Sequence, residues 1–362
     1  MTEIIRINPI NPEIRRVMEA AKVIKDGGTV AFPTETVYGL GANCFDKDAC
    51  GRIFEIKGRP ADNPLILHIP GQGWLGRVAR DVDQRTLEFA SKAWPGPITL
   101  VLKKNTDVPD IATAGLDTAA VRCPAHRIAL ELIEYSGVPI AAPSANISTK
   151  PSTTRFEHVV DDLDGKVDVI IDGGDATFGV ESTIINMTTN PPVLLRPGAF
   201  TVEELEKYIG RISVPDTVNR TAAPDEVAIA PGMKYRHYAP DKKLVLASDG
   251  TILRGAAMLS GDMEEPLAIL CSSETANTLK TTMKLRNISM IILGSEDNLY
   301  EVAKNLFDGF RALDETQAKL GLIQKFDERG IGLAIMNRIS KATGNITIEK
   351  FGDLQSMLKQ EA

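Results

Sequence analysis

The sequence predicts a large α+β domain on a twisted sheet, followed by a smaller, open, Rossmann-like α/β domain. Three observations carry this. The 362 residues are more than one hydrophobic core usually serves. Up to Gly210, short apolar runs of strand length mix irregularly with helical periods, whereas after Lys243 the alternation becomes regular. Between them, Pro215, Pro224, Pro231 and Pro240 crowd residues 211–240, where neither period survives and an ordered linker is expected.

Asn11 and Pro12 suit the start of a first helix. Ile14, Val17, Met18, Ala21 and Ile24 then recur at helical spacing until Gly27 and Gly28 stop it. The apolar run Thr29–Phe32 reads as a strand that opens into the loop 33–41. Strand-like runs follow at Leu65–Ile69, Ile98–Leu102, Ala119–Arg122, Val138–Ala142, Val169–Asp172, Ser182–Met187 and Val193–Arg196. Helical patterns lie at Thr86–Ala93, Arg127–Tyr135 and Val202–Ile209. The first domain is therefore bounded at 1–210, the linker at 211–240 and the second domain at 241–362. In the last, strands at Leu244–Ala247, Leu267–Cys271, Ile288–Leu293 and Leu320–Lys325 alternate with helices at Ala276–Lys284, Leu299–Leu313 and Gly332–Ala342, the order of a small parallel sheet.

Lysine plus arginine number 41 against 48 acidic residues, a net charge of −7. Such a surface repels a phosphate backbone on average, so nucleic-acid contact would need a local basic patch. Cys44, Cys50, Cys123 and Cys271 show no CxxC spacing; buried thiols in a reducing compartment are expected, not a disulfide framework or a zinc site. No apolar window is long enough to span a membrane, and the first twelve residues lack the apolar core of a signal peptide. A cytoplasmic protein without membrane contact is expected. The four histidines are too scattered to predict a metal cage. GQGWLG at 71–76 matches GxGxxG only formally: Pro70 breaks the entry, and the next strand ends in Lys103 and Lys104 instead of an acid.

Several segments could carry chemistry. The loop FPTETVYGLG, 32–41, mixes hydroxyls, a carboxylate and glycines at a strand end, though a capped turn would look the same. In EIKGRPADNPLILHI, 55–69, Lys57 and Arg59 flank a glycine and can converge on one polyanion, with Asn63 nearby. A solvated basic turn is the bland alternative, and His68 in its apolar strand could be a core histidine. Ser144, Asn146, Ser148 and Ser152 crowd the polar loop after Val138–Ala142. Arg122 and Arg196 each close an apolar strand, either as ligands or as edge charges, and Ser182 is equally open. PGMKYRHYAP, 231–240, packs Lys234, Tyr235, Arg236, His237 and Tyr238 between prolines, a composition suited to a strap over a charged ligand or to a linker glued down by its tyrosines.

KGRP at 57–60 with SAN at 144–146 resembles the Lys-x-Arg…Ser-x-Asn signature of YrdC-like domains. FPTETVYGLG, NPLILHI, AWPGPITLVL, VRCP, GVESTII and LLRPG follow that family's order over residues 5–210. PGMKYRHYAP and the trailing α/β domain extend the likeness to the two-domain, Sua-type L-threonylcarbamoyl-adenylate synthases.

The resemblance implies an enzyme, a nucleotidyltransferase that joins L-threonine, bicarbonate or CO2, and ATP into threonylcarbamoyl-AMP with release of pyrophosphate. The product passes to a transferase that modifies tRNA beside the anticodon. It implies Mg2+ as part of the ATP substrate, no resident metal, no requirement for tRNA contact, and a monomer. By the same resemblance Lys57 and Arg59 are expected to be catalytic and to grip the triphosphate. Asn63, Ser144, Asn146, Ser152, Arg196 and Tyr235 would complete the ATP site. Thr36, His68, Thr118, Arg122 and Ser182 would hold threonine, and Tyr235, Arg236, His237 and Tyr238 would form a lid. The competing reading is a non-catalytic module that binds double-stranded RNA, against which the acidic net charge counts.

Overall fold

The structure, a computed structural model, describes residues 1–216, 229–231, 238–260, 266–283, 285–350, 352–354 and 356–357. Two compact units emerge, Met1–Ser148 with Ser152–Tyr235, and Thr149–Pro151 with Arg236–Ala362. The described residues of the expected linker before position 235 thus group with the first unit.

The first unit is built on ten strands among the described residues: β1 (Glu3–Arg6), β2 (Val30–Phe32), β3 (Gly39–Asn43), β4 (Ile66–His68), β5 (Ile98–Lys103), β6 (Thr118–Arg122), β7 (Ile140–Ala142), β8 (Val169–Asp172), β9 (Thr183–Asn186) and β10 (Val193–Arg196). They form one mixed sheet in the order β1-β8-β2-β3-β7-β4-β6-β5-β9-β10. Helices Ile14–Lys25 and Arg127–Ser136 bury Val17, Ala20, Ala21, Ile24, Ile128, Leu132 and Ile133 against Val30, Phe32, Ile140 and Ile171. That packing forms one hydrophobic core cluster of the unit.

Two elements depart from the sequence reading. The first helix begins at Ile14, not at Asn11: Asn8 Oδ1 accepts the Ile10 and Asn11 amides at 2.9 and 3.0 Å. That side chain gives the backbone a turn in place of a helical start. Met18, expected on the buried face, is exposed. The second departure is β3, which occupies residues assigned to a loop. Its glycines hide it from strand propensity, yet the packing requires one: a Cβ at Gly41 would lie 2.6 Å from Ile140 Cγ2 and 2.7 Å from Phe32 Cε1. What remains of the expected loop, residues 33–38, is the connection of the antiparallel β2–β3 pair.

The second unit holds a five-stranded sheet among the described residues: β11 (Lys243–Ala247), β12 (Leu267–Ser272), β13 (Ile288–Gly294), β14 (Leu320–Gln324) and β15 (Thr347–Ile348). All pairings are parallel, in the order β13-β12-β14-β11-β15. Helix Gly250–Leu259, missed in the sequence, is capped by Asp249 through the Thr251 and Ile252 amides. Helix Leu299–Glu315 buries Phe307 and Phe310. Tyr238, expected in a lid, packs on Phe307 with ring centroids 5.1 Å apart, and the Arg338 guanidinium lies 5.8 Å from its ring centre. Burial on that core makes it an anchor of the second unit. Among the described residues no helix is long and apolar enough to cross a membrane.

Helix Val202–Ile209 carries a full capping box, with Thr201 and Glu204 bonding each other's backbone amides. Thr201→Ala should destabilise the first unit by about 1 kcal/mol, read as a lower urea midpoint in circular dichroism. An unchanged midpoint would show that neighbouring packing alone fixes this helix.

Candidate functional site

Part of the expected site, His68, Arg122 and Ser182, gathers where β4, β6 and β5 lie side by side. Register pairs His68 with Arg122 and Arg122 with Thr99, so these three stand in one row on one face. Two residues back along each strand, Ile66, Ala120 and Val101 share that face and form an apolar cluster with Ile184, Leu195 and the buried Ala230. A dry floor therefore adjoins a polar row.

The row is tied together by short contacts. Thr99 Oγ1 lies 2.8 Å from Ser182 Oγ. The Ser182 carbonyl accepts Arg196 Nε at 3.1 Å and Nη2 at 2.9 Å, and Nη2 also reaches Ser182 Oγ at 3.2 Å. Arg196 Nη1 donates to the Pro231 carbonyl at 3.4 Å. These fits depend on a bare backbone at Gly198, where a Cβ would stand 2.2 Å from Thr183 N and 2.5 Å from the Glu181 carbonyl oxygen. His68 is buried, with its ring edge-on to Phe32 at 6.2 Å. Burial and the Arg122 charge pull its pKa down to about 3, so the imidazole is neutral at physiological pH.

Arg122 and Glu35 are both buried and stand 2.8 Å apart, Nη2 to Oε1. Glu35 lies in the 33–38 loop, whose shape is set internally. Thr34 Oγ1 accepts the Thr36 and Val37 amides at 3.2 and 3.3 Å and lies 2.9 Å from Thr36 Oγ1. The Glu35 carbonyl accepts the Thr177 and Phe178 amides at 3.0 and 2.8 Å. With its main chain held on both counts, the Glu35 side chain is committed inward.

The same loop laces in the second group. Tyr38 accepts the Ala145 amide at 2.8 Å and donates its own to Thr153 O at 2.9 Å, and Gly39 bridges Ser144. Lys57 ends helix Lys47–Lys57, which Gly58 terminates at φ 60°, a left-handed turn that favours glycine. The buried Lys57 ammonium donates to the carbonyls of Ser144, at 2.6 Å, and Asn146. Ser144 Oγ donates to Asn146 Oδ1 at 2.5 Å, and Ser152 Oγ to Glu181 Oε1 at 2.5 Å.

Half-buried Arg59 turns to the carbonyls of Asn63 and Pro64 at 3.2 and 3.0 Å. These contacts of Lys57 and Arg59 are thus all to main-chain carbonyls of the 63–64 and 144–146 segments. Asn63 is fully buried, yet neither atom of its side-chain amide has a hydrogen-bond partner, and the same holds for Thr153 Oγ1. Buried amides are nearly always satisfied, so these unpartnered groups are candidates for contact with a polar ligand.

Lys57, Arg59, Asn63, Ser144, Asn146 and Ser152 therefore form one neighbourhood. Thr36, His68, Arg122, Ser182 and Arg196 form the other. Thr118 stands apart: it pairs with Lys103 at the far end of β6, about 13 Å from Arg122 at a rise of ~3.3 Å per residue. Tyr235, Arg236 and His237 lie outside the described residues. Sequence reasoning missed Glu35, Thr99, Thr153 and Glu181. A carboxylate inside each of PTETVYG and GVEST was the available signal, overlooked because a site for anions draws attention to cations. No three His, Cys, Asp or Glu side chains among the described residues group as a metal site. All four cysteines are free and buried, and burial pushes the Cys50, Cys123 and Cys271 thiols up to about 12, which leaves them poor nucleophiles.

Because the folded His68 pKa lies far below the unfolded value near 6.5, its contribution to stability is full above pH 6.5. It is lost as the pH falls through the interval down to about 3. Ring 15N shifts should report a neutral His68 at pH 5; a titration midpoint near 6.5 would contradict its desolvation. Gly198→Ala should force the 181–183 segment away and cost at least about 2 kcal/mol, measured by chemical unfolding.

Residues 22–198 match the Sua5–YciO–YrdC family, described as telomere recombination. Residues 200–344 match the C-terminal domain of threonylcarbamoyl-AMP synthase. The threonylcarbamoyl-AMP synthase of Pyrococcus abyssi is 47% identical over 330 residues, covering 91% of this chain and 94% of that protein. The enzyme of the same description from Bacillus subtilis is 40% identical over 336 residues, covering 92% and 94%. The crystal structure of P. abyssi Sua5 complexed with L-threonine superposes with a TM-score of 0.88 at 45% identity, over 96% of this chain and 100% of that one.

Proposed function

The chain belongs to the two-domain threonylcarbamoyl-AMP synthase family, and we propose that it condenses L-threonine, bicarbonate or CO2, and ATP into threonylcarbamoyl-AMP and pyrophosphate. The observation that carries this reading is that three cations of the first unit, Lys57, Arg122 and Arg196, are each at most 4% exposed, at a helix end and two strand ends. Burying a cation is costly, and such a cost is retained where positive charge has work to do. The reaction supplies that work. The threonine amine and bicarbonate give a carbamate anion and water; a carbamate oxygen then attacks the α-phosphorus of ATP, and the bond to pyrophosphate breaks. Two anions must meet, and charge builds on the leaving group.

In this mechanism the Lys57, Arg59, Ser144–Asn146 and Ser152 neighbourhood receives the nucleotide. The bare amide of Asn63 offers it both a donor and an acceptor. Arg122 receives the threonine carboxylate, and the hydroxyls of Thr36 and Ser182 with the neutral imidazole of His68 bind its remaining polar atoms. A neutral ring can hydrogen-bond a hydroxyl without adding charge to the site. Arg196 holds Ser182 in place and extends the positive wall toward the phosphates. No protein nucleophile is required, so catalysis rests on positioning and on charge already organised.

Mg2+ enters with ATP: this ion usually keeps several waters and is held by substrate phosphates with one or two carboxylates, a demand that a single acid such as Glu181 can meet. The chain acts as a monomer in the reducing cytoplasm, where its four free cysteines stay reduced, and passes its product to a transferase that modifies tRNA. The double-stranded-RNA reading is disfavoured by the net charge of −7 and by cations that are buried instead of lining an open face.

Protein incubated with ATP, Mg2+, L-threonine and bicarbonate should release pyrophosphate, and omission of threonine should abolish the release. Threonine-independent release would contradict the reading. Lys57→Ala should lower kcat by about 100-fold or more, with the far-ultraviolet circular dichroism unchanged. Arg122→Ala should chiefly raise KM for threonine while sparing KM for ATP; the reverse pattern would exchange the two subsites.

A further inference from the structure

The Glu35–Arg122 pair has an unusual geometry. The charges are 2.8 Å apart, yet no N–H of Arg122 is aimed at either carboxylate oxygen. Both oxygens of Glu35, with Nε and Nη2 of Arg122, lie buried without a directed hydrogen bond. A structural ion pair in so dry a place would normally satisfy both partners, because only good geometry repays desolvation. Here a cation and an anion stand side by side, each with hydrogen-bonding capacity to spare.

We propose that Glu35 binds the α-ammonium group of L-threonine, so that Glu35 and Arg122 together recognise the zwitterion of a free amino acid. This deepens the functional reading above and rests on it. In an α-amino acid the ammonium and carboxylate groups are separated by a single carbon and carry opposite charges. Laid antiparallel on the pair, the carboxylate meets the unused donors of Arg122 and the ammonium meets the unused oxygens of Glu35. All four charges then have opposite neighbours, and the unused donors and acceptors are consumed as charge-assisted bonds. The backbone bonds of Glu35 to Thr177 and Phe178 keep its side chain from turning away. The groups facing it are Arg122 and, at the start of the next helix, His126 and Cys123, which its charge reaches.

Recognition of the ammonium also shapes selectivity. A hydroxy acid of the same shape would present no positive charge to Glu35 and would leave that carboxylate buried beside a second anion. Discrimination through an unpaired buried group is strong. Once the amine has become a carbamate its positive charge is gone, and Glu35 repels the new anion away from its own end of the row.

The test compares L-threonine with 3-hydroxybutanoate, which lacks the amine, by calorimetric titration of the full-length wild type and of Glu35→Gln. The wild type should bind threonine at least tenfold more tightly. Glu35→Gln should weaken threonine by roughly 10- to 100-fold and leave 3-hydroxybutanoate unchanged or tighter, with ATP binding intact as the check on folding. Equal weakening of both ligands would mean that Glu35 only holds Arg122, and would overturn the proposal. Unchanged threonine affinity in the variant would do the same. So would a wild type that binds the two ligands equally, a result independent of whether the variant folds. A wild type that neither binds threonine nor releases pyrophosphate with it removes the functional reading itself, and this inference with it.

Discussion

Positive charge held out of water is the constraint around which the first unit is arranged. An isolated buried cation costs several kcal/mol, so Lys57, Arg122 and Arg196 persist only because each is met by oxygen. For Lys57 these are the carbonyls of Ser144 and Asn146. For Arg196 the partners include the Ser182 and Pro231 carbonyls, and for Arg122 the Glu35 carboxylate. Carbonyl dipoles temper a charge without neutralising it, whereas the Glu35 carboxylate sets a full negative charge beside Arg122. The proposed threonine end is therefore built around an ion pair.

An ion pair suits an amino acid, which arrives as a zwitterion, whereas a nucleotide arrives with a large negative charge and gains from cations. The loop 33–38 holds both arrangements in register, because Tyr38 hydrogen-bonds Ala145 and Thr153 while Glu35, three residues earlier, reaches Arg122. One short connection between two antiparallel strands therefore spaces the two proposed subsites.

Much of this was legible in the sequence. The apolar runs that became β5, β6, β8, β9 and β10 announce themselves through β-branched residues, and the motifs containing Lys57, Arg122, Ser144 and Ser182 supply side chains of the two candidate neighbourhoods. What escaped has physical causes. β3 is made of Gly-Leu-Gly-Ala-Asn, which no propensity scale favours, and forms because its glycines let Phe32 and Ile140 close in. The helix start shifted because the Asn8 side chain captured two amides. Thr118, included through the family resemblance, lies at the opposite end of an extended strand from Arg122. Glu35 was overlooked because only the pairing of distant segments reveals that it faces Arg122.

The most direct test of the account is a crystal structure with L-threonine and a non-hydrolysable ATP analogue bound together. The account predicts the amino-acid carboxylate on Arg122 and the triphosphate against the Lys57, Asn63 and Ser144 neighbourhood, with the amino acid's nitrogen between Glu35 and the α-phosphate. Ligands bound away from these residues, or a triphosphate seated on Arg122, would contradict it.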